Sequence, residues 1–385
     1  MFDLPPGFVS TSFINRFDVA LTDNRLTEIS FGVFRNFTNF QGYDVSIGFD
    51  RNQISHIYNG AFLGLENVNL RLNLRDNNLT SLSYEFTRFH GLQELRIEGN
   101  PLATTGIPDD VVRQMFYNNV VTTISLGSYE LLKKVMKYQQ NTIDFLWLIG
   151  MTETTFEPGI FVKGQNTALK RLDIDRSAFN DFSEPLCNLD IETFTVSACK
   201  NVHDTTLQGC RQNSTKSLAI LNCPTTDALD PSAFYSAPLT GLQIWGNINH
   251  VPRTLLSHWP HITSLDFNGH IRRIQKEDFE GLTELEFLDL TRNQISFVDD
   301  EAFNTNLKLR SLDFGSTDTF VHLSPSIKNL THLFTLQLPD MTCSCATMGA
   351  LNGGNYSSVY IDGDCKNIPG KSIKTYLNSD IKACP

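Results

Sequence analysis

The chain has 385 residues, 8 cysteines and a formal net charge of −11, with Lys+Arg 31 against Asp+Glu 42. An acidic balance without a basic stripe argues against a nucleic-acid partner, since phosphate neutralisation needs clustered Lys and Arg. No apolar run approaches the ~18 residues needed to cross a bilayer, so no membrane span is expected.

The organising feature is a recurring stretch, clearest at Leu288-Asp289-Leu290-Thr291-Arg292-Asn293-Gln294-Ile295. Leu288 and Leu290 alternate, which places both on one face of a short strand. The Asn that follows turns the chain, and its amide can bond backbone groups freed there. Taken in chain order, the same slot holds Asn24, Asn52, Asn77, Asn100, Tyr129, Met151, Ser177, Cys199, Cys223, Asn247, His270, Asn293, Thr317 and Met341. The steps are roughly 22 to 29 residues, a leucine-rich-repeat period, which gives about fourteen repeats. Each unit of this size buries its apolar face only by stacking on its neighbours. One elongated solenoid over residues 1–342 therefore overrides the two or three domains that length alone suggests.

The chain resembles extracellular leucine-rich-repeat proteins of the animal type. That resemblance rests on Leu72-Asn73-Leu74-Arg75-Asp76-Asn77-Asn78-Leu79, on the 288–295 stretch, and on return segments such as Ala61-Phe62-Leu63-Gly64-Leu65. It implies an α/β leucine-rich-repeat solenoid, a curved horseshoe with a parallel sheet on its concave face. The chain opens mid-repeat at Leu4-Pro5-Pro6-Gly7-Phe8-Val9 without a cysteine-bearing cap. Bare core leucines at a solenoid end are unfavourable in water, so further native residues or a partner are expected to cover it. Between residues 107 and 141 the period loosens. Val111, Val112, Met115, Phe116 and then Leu131, Leu132, Val135, Met136 carry 3- and 4-residue spacing, which predicts two short helices on the convex side.

Cys343-Ser344-Cys345, Cys365 and Cys384 close the chain. Such an arrangement fits zinc spacing poorly and resembles the cysteine-rich C-terminal cap of the same family, here residues 343–385. The resemblance implies the pairs Cys343–Cys365 and Cys345–Cys384. With Gly363-Asp364-Cys365, these cysteines are also similar to the cap of non-catalytic leucine-rich-repeat subunits of shrimp luciferase and arthropod relatives. Cys187 and Cys210, 23 apart, form a plausible staple between rungs. Cys199 and Cys223, 24 apart, sit in the ladder slot, either bonded or as buried free thiols. Sequons begin at Asn36, Asn78, Asn213, Asn329 and Asn355. Together with the cysteines they point to a secreted, extracellular glycoprotein whose leader is missing.

Strand positions flanking the core leucines should point to the concave face. Phe145, Trp147, Ile149, Leu221 and Trp245 then project to solvent as an apolar centre, a mark of an interaction surface. A register error that buries Trp147 is the alternative. Asp266, Asp289 and Asp313 form a column on three successive rungs. Such a column is solvated surface, a docking point for a basic partner or, least favoured, a metal site, because a straight column supplies too few oxygens for calcium. No nucleophile elbow, paired-histidine helix or dinucleotide fingerprint occurs, so no catalytic residue, metal or cofactor is expected. The reading is a secreted recognition module that binds a protein or glycan ligand, with a non-catalytic subunit of a secreted complex as the alternative.

Overall fold

Alternating leucines build a ladder of short parallel strands with one buried and one open face. The computed structural model describes residues 16–37, 40–162, 168–199, 207, 210–223, 230–315 and 323–384. The opening stretch 4–9 and the Thr317 slot lie outside the described residues. Two compact units divide the chain, residues 1–192 and 193–385.

In the first unit the ladder runs in chain order through β1 (Arg16–Ala20), β2 (Asp44–Gly48), β3 (Asn69–Asn73), β4 (Leu92–Arg96), β5 (Thr123–Leu126), β6 (Phe145–Ile149) and β7 (Ala168–Asp175). Neighbouring strands pair in parallel and equivalent leucines meet, Leu70 with Leu92 and Leu72 with Leu95, all inaccessible to solvent. Behind the strands the return segments contribute a phenylalanine stack. Phe34, Phe62, Phe86 and Phe89 are fully buried, with the Phe62 ring 5.2 Å from Phe89 and 6.4 Å from Phe34. Rings at such offsets add attraction beyond the area they bury.

The two predicted helices are present as α1 (Asp109–Asn118) and α2 (Tyr129–Tyr138). Val111, Val112, Met115 and Phe116 bury one face of α1, and Leu131, Leu132 and Val135 one face of α2. Ser128 caps α2 by accepting the Leu131 N–H, and Lys134 binds Asp109 at 2.8 Å. Tyr129, taken from the sequence as a ladder slot, instead opens this helix. Cation contacts from Lys134 and Lys137 and the Tyr138 hydroxyl hold the Asp109 carboxyl well below its ordinary range.

The second unit continues with β8 (Asp190–Ser197), whose ladder residues start at Thr193, then β9 (Ser217–Cys223), β10 (Gly241–Gly246), β11 (Ser264–Asn268), β12 (Phe287–Asp289), β13 (Ser311–Asp313), β14 (Thr335–Gln337) and β15 (Tyr360–Asp362). Its core repeats the pattern with Leu242, Leu265, Leu288, Leu312 and Leu336 in adjoining register. The strand within Leu336-Gln337-Leu338 is not the last of the ladder. Val359 and Ile361 are buried, and β15 pairs with β14 inside the cysteine-rich segment.

Nine of the slots share one turning device. The residue before the slot adopts a left-handed conformation at Asp23, Arg51, Asp76, Gly99, Gly150, Arg176, Ala198, Asn222 and Arg292. That geometry costs an L-residue about 1–2 kcal/mol, so something must hold it. At the buried Asn slots the side chain does so, whereas Asn24 and Asn247 are exposed. The Asn77 carboxamide oxygen accepts the Ile54 N–H at 2.9 Å, and its nitrogen donates to the Phe49 and Leu74 carbonyls at 2.9 and 3.1 Å. Asn52, Asn100 and Asn293 repeat the pattern, each buried. Ser177 substitutes with its hydroxyl, accepting the Met151 N–H. In the next two slots a covalent link replaces the amide: Cys199 and Cys223 are joined, with Cα atoms 5.0 Å apart.

Candidate binding face

In the first unit the open face centres on β6. Leu146 and Leu148 fill the core, so Phe145, Trp147 and Ile149 lie on the opposite face, each half-buried. The register that would bury Trp147 is not adopted. Across the ladder Arg96, Ser125, Trp147 and Asp173 stand opposite one another. Ser125 is small and buried, and over it the Arg96 guanidinium reaches to 5.1 Å from the Trp147 ring. On the other side Trp147 Nε1 donates to Asp173 Oδ2 at 2.6 Å, while Arg171 Nε donates to the same carboxylate at 2.7 Å. Phe145 stacks along Trp147 with centroids 6.1 Å apart and planes 14° from parallel.

This corrects the expected apolar centre. Trp147 does not project freely; cation–π contact and a charge-accepting hydrogen bond hold it in one orientation. Arg96 and Asp173 contact Trp147 although each lies one or two repeats away in sequence, so the sequence reading did not group them with it. Their signal was positional, since both occupy the same slot between strand leucines as Trp147.

Leu221 and Trp245 lie in the second unit, opposite each other on β9 and β10 and half-buried. Trp245 Nε1 is buried and falls outside hydrogen-bond geometry with its described neighbours, although its N–H dipole still favours the Asp266 anion. The aspartate column is in register, Asp266 opposite Asp289 opposite Asp313. It continues through Gln337 to Asp362 on β15, which the sequence reading left out with that strand.

The column is structured rather than simply solvated. Asp289 Oδ1 accepts the Thr291 N–H at 2.8 Å and Asp313 Oδ1 the Gly315 N–H at 2.7 Å, each closing the turn that leaves its strand. The Gln337 amide, oriented to donate, reaches both oxygens of Asp313. Burial pushes the Asp266 carboxyl up to about 6, with the Asp289 charge adding to the rise. Asp313 is raised for the same reasons, burial first and then the charges of Asp289 and Asp362.

A folded acid with a raised pKa binds more protons than its unfolded form. Asp266 therefore loses stabilising free energy as pH rises from about 4 through about 6. Asp266→Asn is expected to gain about 1 kcal/mol at pH 7.5, after discounting for partial exposure, and nothing near pH 4. Urea midpoints of both proteins across this range check it; parallel curves would refute the assignment.

The cap cysteines pair as the resemblance implied, Cys343 with Cys365 and Cys345 with Cys384, with Cα separations of 5.3 and 5.2 Å. Cys187 in the first unit and Cys210 in the second are each disulfide-bonded. No cysteine is free. All five sequon asparagines are exposed; Thr38 of the first sequon lies outside the described residues. Among the described residues no group of three or more His, Cys, Asp or Glu is placed to hold a metal ion, and no helix is long and apolar enough to cross a membrane.

A leucine-rich-repeat model matches residues 45–102, and a model of BspA-type leucine-rich-repeat regions matches residues 209–327. No curated protein matches the sequence. Among solved structures the chain is similar to one in the mouse RP105/MD-1 complex, at 14% identity and a TM-score of 0.54 over 98% of this chain and 76% of that one. It is also similar to an internalin from Listeria monocytogenes, at 16% identity and a TM-score of 0.49 over 92% and 88% of the two chains. These likenesses concern the fold, and no catalytic family is among them. The repeat models, the parallel ladder and the recurring slot agree: the chain is folded as a leucine-rich-repeat solenoid.

Proposed function

We propose that this chain is a secreted, non-catalytic recognition module that binds a protein through the open face of its strand ladder, with residues 343–385 as a disulfide-bonded cap. The observation that carries this reading is the placement of Trp147 and Trp245 on open strand faces, held at half-burial instead of packed in the core. Indoles so placed keep an apolar surface that a partner can cover at little further entropic cost, and Trp is enriched at binding hot spots. The acids beside Trp245, from Asp266 to Asp362, favour a partner segment carrying Lys or Arg. Bonded cysteines and exposed sequon asparagines support passage through an oxidising secretory compartment.

The test is the mass of the native glycosylated protein by light scattering, with identification of whatever co-elutes. A monomer that binds a separate protein reversibly, and loses at least about tenfold in affinity on Trp245→Ala, is expected. A fixed-ratio second chain whose association survives that substitution would instead make the protein a structural subunit.

A further inference from the structure

Away from the ladder faces, the second unit carries a groove of about 710 Å³ lined by Arg272, Arg273, His250, His270, Gln275 and Gln294 among its residues. It has no carboxylate in its lining, although the chain as a whole carries a net charge of −11. We infer that this groove binds a tetrahedral oxyanion, a sulfate or phosphate ester borne on a larger molecule.

Three consecutive repeats supply the lining just after their ladder strands, and backbone bonds fix the loops against one another. The His270 N–H donates to the Ile248 carbonyl at 2.7 Å, the Gln294 N–H to Ile271 at 3.1 Å and the Ser296 N–H to Arg272 at 2.9 Å. Asn293 adds its side-chain bond to the Ile271 N–H. Side chains that rise from so fixed a backbone converge without the cost of ordering a loop.

The two arginines are available. Neither forms an ion pair among the described residues, unlike Arg253, which engages Glu277 and Asp278 and so neutralises the carboxylates that follow Gln275 in sequence. Arg273 lies over the Phe297 ring at 4.3 Å from its centroid, which orients the guanidinium plane and leaves its N–H edges unspent. Gln275 Oε1 accepts from Arg253, so its amide nitrogen keeps both hydrogens to donate. Planar forks beside amide donors suit oxyanions, because two parallel charge-assisted bonds can form at each arginine. The histidines add ring N–H donors.

The experiment titrates the full glycosylated chain by calorimetry at low ionic strength with a trisulfated disaccharide, glycerol 3-phosphate and inorganic sulfate. Saturable binding of at least one ester is expected, weakening as salt rises. The double variant Arg272→Gln with Arg273→Gln should lose about tenfold or more in affinity, since each charged hydrogen bond exceeds a neutral one. All the substituted residues are exposed, so folding should survive, and circular dichroism confirms it. The control is Lys308→Gln with Arg310→Gln, two exposed cations paired with Glu284 and Glu286 elsewhere on the same unit; it should leave affinity unchanged. Preference for the disaccharide identifies a sulfated glycan as the source, and preference for the phosphate ester a phosphorylated ligand. Absence of saturable binding, an unaffected Arg272/Arg273 variant, or equal loss in the control would overturn the inference.

Discussion

Replacing Cys345 and Cys384 together by serine is expected to lower stability by about 4 kcal/mol. The bond closes a loop of sequence separation 39, and a cross-link of that length removes entropy from the unfolded chain on roughly this scale. The native side of the balance points the same way. Cys384 is buried, its carbonyl accepts from Asn352, and the helix Ile373–Asn378 before it buries Ile373, Tyr376 and Leu377. Losing the tether frees this apolar cover from the rung built on β14 and β15. Urea unfolding under non-reducing conditions measures the change, with separate signals for the two units because a chain this long need not unfold in one step. A loss confined to the second unit is expected. A midpoint within error of the wild type would show that the bond contributes nothing to the cap.

Asn77→Ala should cost about 3 kcal/mol, although it removes few apolar contacts. Its amide is 4% exposed and serves the Ile54 N–H together with the Phe49, Leu74 and Arg75 carbonyls. Alanine leaves the buried Ile54 N–H without its partner and takes one bond from each of three carbonyls, which keep the Asn52 and Asn100 amides and the Arg51 N–H, and it releases the left-handed turn at Asp76. Hydrogen exchange should rise first at Ile54, the one N–H that the side chain holds across a rung. Arg71→Ala, on an exposed position of the same β3 strand, should change stability by less than about 0.5 kcal/mol. If the two variants unfold at the same denaturant concentration, the slot side chain is not what fixes the turn.

These energetics explain which parts of the molecule were legible beforehand. The period was readable because each rung must place two apolar side chains inward and one turn residue after them, and that requirement repeats along the chain. The buried Asn ladder followed directly. Less visible was the left-handed residue preceding nine of the slots, because Asp76, Arg176 and Ala198 share no residue type; the conformation is imposed by the rung-to-rung bonds that follow it. The fifteenth strand, Tyr360–Asp362, was hidden by the cysteines around it, which drew the reading toward an irregular cap.

Alternation sets Trp147, Trp245 and the three aspartates on the strand side opposite the core leucines, but says nothing of their surroundings. Exposure on that face depends on neighbours across the ladder. Arg96 covers Trp147 from 51 positions earlier, and Asp173 receives its N–H from 26 positions later. A repeat pattern fixes which slot a residue fills while leaving open which side chain from the next slot will lean over it. The Arg272–Arg273 pair shows the same limit. Only the stacking of three loops gathers it with His250 and Gln294 in one groove free of acids.

The most direct test of the central claim is photo-crosslinking from the open face itself. A photoreactive residue at Gln243, exposed on β10 in the same strand as Trp245, should capture one protein in the native secretion. A second probe at Tyr58, exposed on a return segment away from the ladder, should not capture it, and Trp245→Ala should abolish the Gln243 product. Capture of the same protein from Tyr58 but not from Gln243, or a Gln243 product indifferent to Trp245→Ala, would contradict recognition through the ladder face.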